Sequence, residues 1–244
     1  MQSAKLMACA RIEKGGPPAL DYARAMAELE KLGTAQNVKV YRRHGAGENL
    51  FGVSFANLYK LQKKIGVNHS LAKELWESGN TDARILAALV ADPAQMTAVL
   101  ADMWMQDVRY HCLADYVARL VYKSPVAAQK LREWMNSPKE YYRQVGYDLF
   151  AHAVMDKNNL SDAECRKQLA IIEREIHRSA NRARHAMNNA LISIGIYRPP
   201  LRKEAIAAAK RIGKVEVDHG ETSCKTPDAV AYIQKAIARR RGSC

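Results

Sequence analysis

The chain contains little cysteine, and what it has is scattered. Its 244 residues include five cysteines, no two of which have the CxxC spacing of zinc ribbons or redox motifs. An odd, dispersed set also argues against the disulfide framework of a small secreted protein. We therefore expect reduced thiols in a reducing compartment. The cysteines are Cys9, Cys112, Cys165, Cys224 and Cys244.

Long apolar segments are also absent. No run approaches the roughly 20 apolar residues that span a bilayer, and residues 1–16 contain no apolar core long enough for a secretory signal. We expect no membrane anchor and a cytoplasmic location. Strand patterns are equally scarce, since Val215–Glu216–Val217 is the only short alternation of apolar and polar residues. The 13 glycines and 8 prolines gather near apparent turns, which favours helices.

Positive charge is the most informative excess. Lys and Arg number 38 against 25 Asp and Glu, which gives a net charge of +13 and a pI near 9.6. An excess of this size indicates a polyanionic partner, either nucleic acid or an anionic membrane surface. On composition alone, the alternative is a soluble protein that is merely basic.

Apolar residues recur at helical spacing along the chain. Four such stripes fall within residues 71–76, 85–90, 113–121 and 145–153. Between the stripes lie residues that start or stop helices, among them Gly-Asn, Asp-Pro and Ser-Pro pairs. The pattern predicts an all-α chain of short helices joined by tight turns.

A weak internal repeat indicates how these helices stack. LAKELW (71–76) is followed by a polar turn and TDARILAAL, and LREW (131–134) by a polar turn and KEYYRQVGYDLF. In both copies a Trp ends one helix and an Arg lies within the next. This is typical of stacked two-helix repeats in which each Trp is wedged between layers, so the three tryptophans are expected in the core. Because no linker is evident, we predict one α-solenoid domain over residues 1–244.

Five segments follow one another in a familiar order. They are GVSFANLYKLQKKIG, LAKELWESGNTDARILAALVADP, WMQDVRYHCLADYVARL, LREWMNSPKEYYRQVGYDLFA and ARHAMNNALISIGIYRPPLRKEAIAAAKRIG. Together they resemble the HEAT-like-repeat DNA alkylation repair family, most clearly over residues 50–212. The resemblance implies stacked antiparallel helix pairs with a concave basic groove for duplex DNA. The family's characterised glycosylases excise N3- or N7-methylated purines by hydrolysing the N-glycosidic bond.

The resemblance also implies a site. The family's acidic residue, which assists loss of the cationic base, falls on Asp115, and its two flanking tryptophans fall on His111 and Asn189. The family's arginine falls on Gln144, with Arg143 next to it. We therefore expect Asp115 and His111 at the catalytic position and the other three residues on the DNA. The three flanking positions, His111, Gln144 and Asn189, therefore differ from the family's pattern.

Helical spacing describes the same region independently. His111, Asp115 and Arg119 are four residues apart and share one helix face, which by itself fits a solvated ladder of salt bridges. A second polar face can follow a phosphate backbone without reading sequence. The alternative interpretation is that it is an ordinary exposed helix surface. Lys63, on an early helix, is expected on the opposite lip of the groove. The second face comprises Arg174, Arg178, Arg182, His185 and Asn189.

Two features near the C-terminus are given structural roles. The loop from Asp218 to Cys224 gathers Asp, His, Glu and Cys, but its spacing matches no established metal-ligand pattern. We expect it to form a turn before the last helix. The run Arg239–Arg241 is expected to be a frayed helix end that adds nonspecific electrostatic attraction.

Three functions are left open by the sequence. The chain is a DNA-binding protein that also excises alkylated purines, a non-catalytic binder of bent, branched or damaged DNA, or a solenoid that binds another protein. The net charge of +13 favours DNA, because peptide-binding solenoids need no such excess. We expect a monomer that binds duplex DNA through its backbone, with no membrane partner, metal or cofactor.

Overall fold

The computed structural model describes residues 20–156 and 159–241. Within these ranges all regular structure is helical, apart from one isolated β-bridge. The prediction of an all-α chain is therefore confirmed. Across the same ranges, every helix is too short or too polar to traverse a lipid bilayer. Cys9 and Cys244 lie outside the described residues.

Thirteen α-helices make up most of the described residues, with three short 3-10 turns between them. The 3-10 turns are Pro93–Gln95, Ile176–Arg178 and Pro199–Leu201. The α-helices are α1 (Tyr22–Leu32), α2 (Ala35–Arg43), α3 (Phe55–Ile65), α4 (His69–Glu77), α5 (Thr81–Val90), α6 (Ala98–Asp107), α7 (His111–Tyr122), α8 (Ala127–Met135), α9 (Glu140–Met155), α10 (Asp162–Glu175), α11 (Asn181–Tyr197), α12 (Arg202–Ile212) and α13 (Ala229–Arg241).

The polar residues between the apolar stripes begin the helices, as the sequence predicted. Asn80 caps α5, since its side-chain oxygen accepts hydrogen bonds from the backbone N–H groups of Asp82 and Ala83. Ser161 caps α10 in a reciprocal arrangement with Glu164. Such caps satisfy backbone donors that have no partner within the helix and stabilise it by about 1 kcal/mol each. They fix the turns at which the chain reverses.

The helices stack in two layers. In one, which we call the odd layer, α3, α5, α7, α9, α11 and α13 pack side by side in that order. Against them lie α4 on α5, α8 on α9, and α10 and α12 beside α11, which we call the even layer. Each consecutive pair buries its apolar face against its neighbours, as in other stacked helical repeats. The predicted α-solenoid of helix pairs is confirmed.

Helix α9 joins two apolar cores. Val145 and Leu149 belong to the core of the first half of the chain, and Tyr147 and Phe150 to that of the second. Gly146 lies between them, where an added Cβ would be 2.2 Å from the backbone nitrogen of Met135. Glycine therefore lets the backbones of α8 and α9 touch directly. This contact holds α9, which carries much of the polar site described below.

The three tryptophans lie in the core, as predicted. Trp76 and Trp104 stack with ring centroids 4.1 Å apart, and Trp134 is buried between α8 and α9. The indole N–H of Trp76 donates to the Asp107 carboxylate at 2.9 Å, so its one polar atom has a partner. These rings support the repeats and are not available to stack on nucleic acid.

Candidate functional site

Polar side chains form parallel stripes on neighbouring helices of the odd layer. Helix α7 carries His111, Asp115 and Arg119 at a spacing of four residues, which places them on one face. Helix α9 carries a matching stripe at the same spacing, and it faces α7. The α9 stripe consists of Glu140, Gln144, Asp148 and His152.

Asp115 is held by Gln144. The side-chain N–H of buried Gln144 donates to Asp115 Oδ1 at 2.9 Å and to the His111 carbonyl at 3.1 Å. Burial raises the pKa of Asp115 to about 6, against the opposing effects of the Gln144 hydrogen bond, Arg119 and Arg182. The structure thus brings together three of the predicted positions, around a carboxyl that is largely withdrawn from solvent.

Asp148 was missed in the sequence. Burial, and then the charge of Asp115, raise its pKa well above 3.8, which favours the protonated form of this carboxyl. Its Oδ2 and the Oε1 of Gln144 are both buried without a hydrogen-bond partner among the described residues. In its protonated form Asp148 can donate a hydrogen bond, which a carboxylate cannot. The signal was available, because Asp148 lies one helical turn beyond Gln144.

Arg119 does not form the salt-bridge ladder that spacing alone suggested. Its guanidinium donates to the Tyr59 hydroxyl at 3.2 Å and lies 5.3 Å from the centre of the Tyr116 ring. In the described part of the chain, no ion pair joins it to Asp115. The polar face of α7 is thus a set of specific contacts to α3 and α9.

Four of the seven histidines meet at the N-terminal ends of α7 and α11. His44 directly follows α2. Its ring centroid lies 6.0 Å from that of His111, and the ring centroids of His185 and His219 are 5.5 Å apart. These residues come from α2, α7, α11 and the segment between α12 and α13. His111 and His185 were predicted site residues, whereas His44 was not, because only tertiary packing brings it here. No three His, Cys, Asp or Glu side chains of the described residues are arranged to hold a metal ion.

Arg182 is common to this group, which we call the Arg182 cluster (His44, His111, Arg182, His185, His219). Burial and then the charge of Arg182 lower the pKa of His111 to about 3. For His185 the pKa falls to about 4, through burial, His219 and Arg182 in that order. The pKa values of His44 and His219 are lowered by burial and then Arg182. All four imidazoles are therefore neutral at pH 7 and present N–H donors that do not repel one another.

The Arg182 guanidinium itself has no hydrogen-bond or ion-pair partner among the described residues. Its backbone N–H donates to the Glu140 carboxylate at 2.7 Å, which caps α11. The nearby carboxylates are otherwise engaged, since Asp115 bonds Gln144 and Asp218 accepts the Gly220 N–H at 2.7 Å. A half-buried cation with unused donors, ringed by neutral imidazoles, is suited to receive an anion.

We predicted that Arg174, Arg178 and Arg182 share one face of a single helix, and this prediction was wrong. Helix α10 ends at Glu175, a 3-10 turn follows, and α11 begins only at Asn181. The reason is local, because Ala180 is extended and Glu140 caps the new helix from α9. Only Arg182, His185 and Asn189 share a helix.

Four of the predicted DNA contacts lie elsewhere. Arg143 points to Glu175, with which it forms an ion pair, and its guanidinium lies over the Tyr147 ring. Arg174 pairs with the other oxygen of the same carboxylate, and exposed Arg178 donates to the Arg174 carbonyl. Lys63 is exposed in the last turn of α3. None of them contacts Asp115 or the Arg182 cluster.

The C-terminal arginines are better ordered than the sequence predicted. Arg239 and Arg240 lie within helix α13, which packs on α11. The Arg240 guanidinium lies 4.4 Å from the centre of the Tyr197 ring. Together with Asn189 and His185 they line a cleft between the two helices. The prediction of a frayed end missed this contact, since a run of arginines gives no sign of what it packs against.

The profile of the DNA alkylation repair enzyme family matches residues 25–233, which include the Arg182 cluster, Asp115, Gln144 and Asp148. The chain belongs to this family. The resemblance found in the sequence is thereby confirmed.

Two bacterial relatives match over nearly their whole length. Uncharacterized protein Lin0241 of Listeria innocua is 34% identical over 218 residues, which cover 87% of this chain and 95% of the relative. Uncharacterized protein Lmo0209 of Listeria monocytogenes is 33% identical over 220 residues, covering 88% and 96%.

A solved structure shares the fold. It is described as representing a new family of proteins related to the HEAT-like repeat DNA glycosylases with affinity for branched DNA structures. It superposes with a TM-score of 0.84 at 32% identity, covering 91% of this chain and 96% of the other. The likeness confirms that the helix pairs are HEAT-like repeats.

Proposed function

We propose that this protein binds DNA through its phosphate backbone, with a preference for branched structures, and does not excise bases. The observation that carries the proposal is the unpartnered guanidinium of Arg182 among four neutral imidazoles. Phosphate oxygens are the anions that arginine and imidazole N–H groups recognise most directly in DNA complexes. The net charge of +13 adds a long-range attraction that carries no sequence code.

The exposed face of the odd layer is the surface we assign to DNA. It carries the Arg182 cluster, and we assign to it the role of the concave basic groove that the family resemblance implies. Contacts of this kind position a duplex without reading its bases. The preference for branches rests on the structural relative, which is described as having affinity for branched DNA.

The environment of Asp115 supports binding without excision. A carboxylate that stabilises a departing cationic base must be open to the sugar. Here the carboxyl is half-buried and one oxygen is bonded to Gln144. The resemblance places His111 and Asn189 where the family's characterised glycosylases have aromatic walls. The carboxyl pair therefore serves to join α7 to α9.

We also propose a cytoplasmic monomer. Cys112, Cys165 and Cys224 are free thiols, which fits a reducing compartment. Sedimentation of the free protein would test the oligomeric state, and a stable dimer would contradict it.

The test of function uses one protein preparation to compare binding to two DNA shapes and to detect base excision. Fluorescence anisotropy would measure affinity for a four-way junction and for a duplex of the same sequence, and a second assay would detect abasic sites in duplex containing N7-methylguanine. We expect tighter binding to the junction and no abasic sites. Arg182→Ala should weaken binding roughly tenfold, the value of one charge-assisted phosphate contact.

The matched control is Arg166→Ala. Arg166 is exposed on α10 in the even layer and pairs with Glu204, so its loss removes the same charge from the other side of the molecule. Equal weakening by both variants would show that net charge, and not the Arg182 cluster, binds DNA. Absence of DNA binding at low salt would instead favour a protein partner, and abasic sites would restore the glycosylase hypothesis.

A further inference from the structure

A cleft of about 670 Å³ opens between α11 and α13, beside the Arg182 cluster. Its volume lies within the range of ligand-binding sites in proteins, about 300–1,000 Å³. His185 belongs both to the Arg182 cluster and to the wall of the cleft, and Asn189 lies one turn further along α11. The two features therefore form one continuous surface of the odd layer.

The walls of the cleft are fixed by close packing. Ile233 of α13 is fully buried against Gly195 of α11, where an added Cβ would be 2.5 Å from the Ile233 side chain. The segment leading into α13 is tied to α11 as well, since the Asn188 amide donates to the Pro227 carbonyl at 3.0 Å. The cleft is thus a preformed feature of the fold.

The charge in the cleft has one sign. Lys235, Arg239 and Arg240 line it, and its described lining residues include no carboxylate. Arg240 is held over the Tyr197 ring, which positions its guanidinium at the rim. An anionic ligand is therefore favoured over a neutral or cationic one.

Apolar surface is exposed in the same place. Tyr232 is 52% and Met155 41% exposed, although both are large hydrophobic side chains, and both line the cleft. Exposed rings flanked by cations are how proteins bind single-stranded nucleic acid, with bases stacked on the rings and phosphates on the cations. The Asn189 amide adds a group that can both donate to and accept from a base edge.

We propose that the α11–α13 cleft binds an unpaired nucleotide of branched DNA, with its base against Tyr232 and Met155 and its phosphates against Lys235 and Arg240. The proposal rests on the DNA binding proposed above. The bases of an intact duplex are stacked and paired, so they cannot enter, whereas a fork or flap offers free bases. The cleft thereby gives a physical reason for a preference for branches.

The experiment uses a DNA fork with 2-aminopurine as the unpaired base nearest the branch, and a duplex of the same sequence with the probe paired. Binding of the full chain should change the fluorescence of the fork and leave that of the duplex unaltered. Tyr232→Ala should abolish the fluorescence change and weaken fork binding roughly tenfold, the value of one stacked base, with duplex affinity unchanged. Tyr232→Phe keeps the ring and should behave as the wild type.

Two further variants separate stacking from charge. Lys235→Ala should weaken fork binding more than Lys203→Ala, which removes an equal charge from an exposed position on α12. Thermal unfolding would verify that each variant is folded. If Tyr232→Ala gave the same fluorescence change on the fork as the wild type, the cleft proposal would be overturned. Continued binding to the duplex would leave the proposed function intact. Failure to bind either DNA would overturn both.

Discussion

Two polar regions lie within a few turns of each other on α7, α9 and α11, and they differ in how completely their groups are paired. The carboxyl region (Asp115, Gln144, Asp148) is closed, because the Gln144 amide bridges α9 to two acceptors on α7. The Arg182 cluster is open, because its central guanidinium has no partner in the described chain. Buried polar groups that are satisfied internally stabilise a fold, whereas those left unpaired cost free energy unless a ligand uses them.

Function in this protein is expected where polar groups are left unpaired. The contacts of Asp115 are those of a residue that joins two helices. The open region includes His44 and His219, which are far apart in the sequence. We therefore expect substitutions in the closed region to affect stability more than DNA affinity, and substitutions in the open region to do the reverse.

The largest expected effect concerns salt. If the open face neutralises six to ten phosphates, affinity for DNA should fall by about 10³–10⁵ between 50 and 200 mM salt. Anisotropy titrations at several salt concentrations would measure the slope of log K against log salt. Arg182→Ala should lower that slope by about 1, whereas Gln144→Leu should not change it. If affinity did not depend on salt, neither region would bind the DNA backbone.

The next effect belongs to the closed region. Gln144→Leu removes the only side-chain donor to the His111 carbonyl and to Asp115 Oδ1 among the described residues, so two buried acceptors lose a partner. We expect the free energy of unfolding to fall by roughly 2–3 kcal/mol at pH 7. Chemical denaturation would measure it.

The matched control for that variant is Gln129→Leu. Gln129 is exposed on α8 and donates only to Glu133, one turn away. Its loss should change stability by less than about 0.5 kcal/mol. If the two variants were equally stable, the Gln144 bridge would contribute nothing and the closed region would not be structural.

Much of the fold could be predicted, because apolar periodicity and capping residues are local signals. Asn80 and Ser161 begin helices where the sequence said they would. The break after Arg178 was missed, since polar residues keep a spacing of four across a turn that tertiary contacts impose. Asp148 could have been found by continuing the α9 stripe. His44 could not, because 138 residues separate it from Arg182, and only the packed repeats bring them together.

A smaller effect is expected from the proton on Asp148. Its folded-state pKa is raised above 3.8, so the folded state holds a proton that the unfolded chain releases, and stability falls as pH rises from about 4 toward the folded pKa. Asp148→Asn removes this loss. The variant should match the wild type at pH 4 and be more stable than it at pH 8. If the difference in melting temperature between the variant and the wild type stayed constant across this pH range, Asp148 would be ionised throughout.

The smallest effect concerns Asp115, a residue of the closed region whose charge acts on the open region. Asp115 lies close enough to Arg182 for the arginine to lower its pKa, so its negative charge also opposes binding of phosphate there. Asp115→Asn keeps the shape and the acceptor for Gln144 while removing that charge. DNA affinity should then rise by roughly twofold, the scale of a partly screened charge interaction. The gain should shrink as pH falls below about 6, since the wild-type carboxyl is then already neutral. Anisotropy at pH 5 and pH 8 would measure both values. A loss of affinity in Asp115→Asn would show that the carboxylate contacts DNA directly, and the two regions would then be one site.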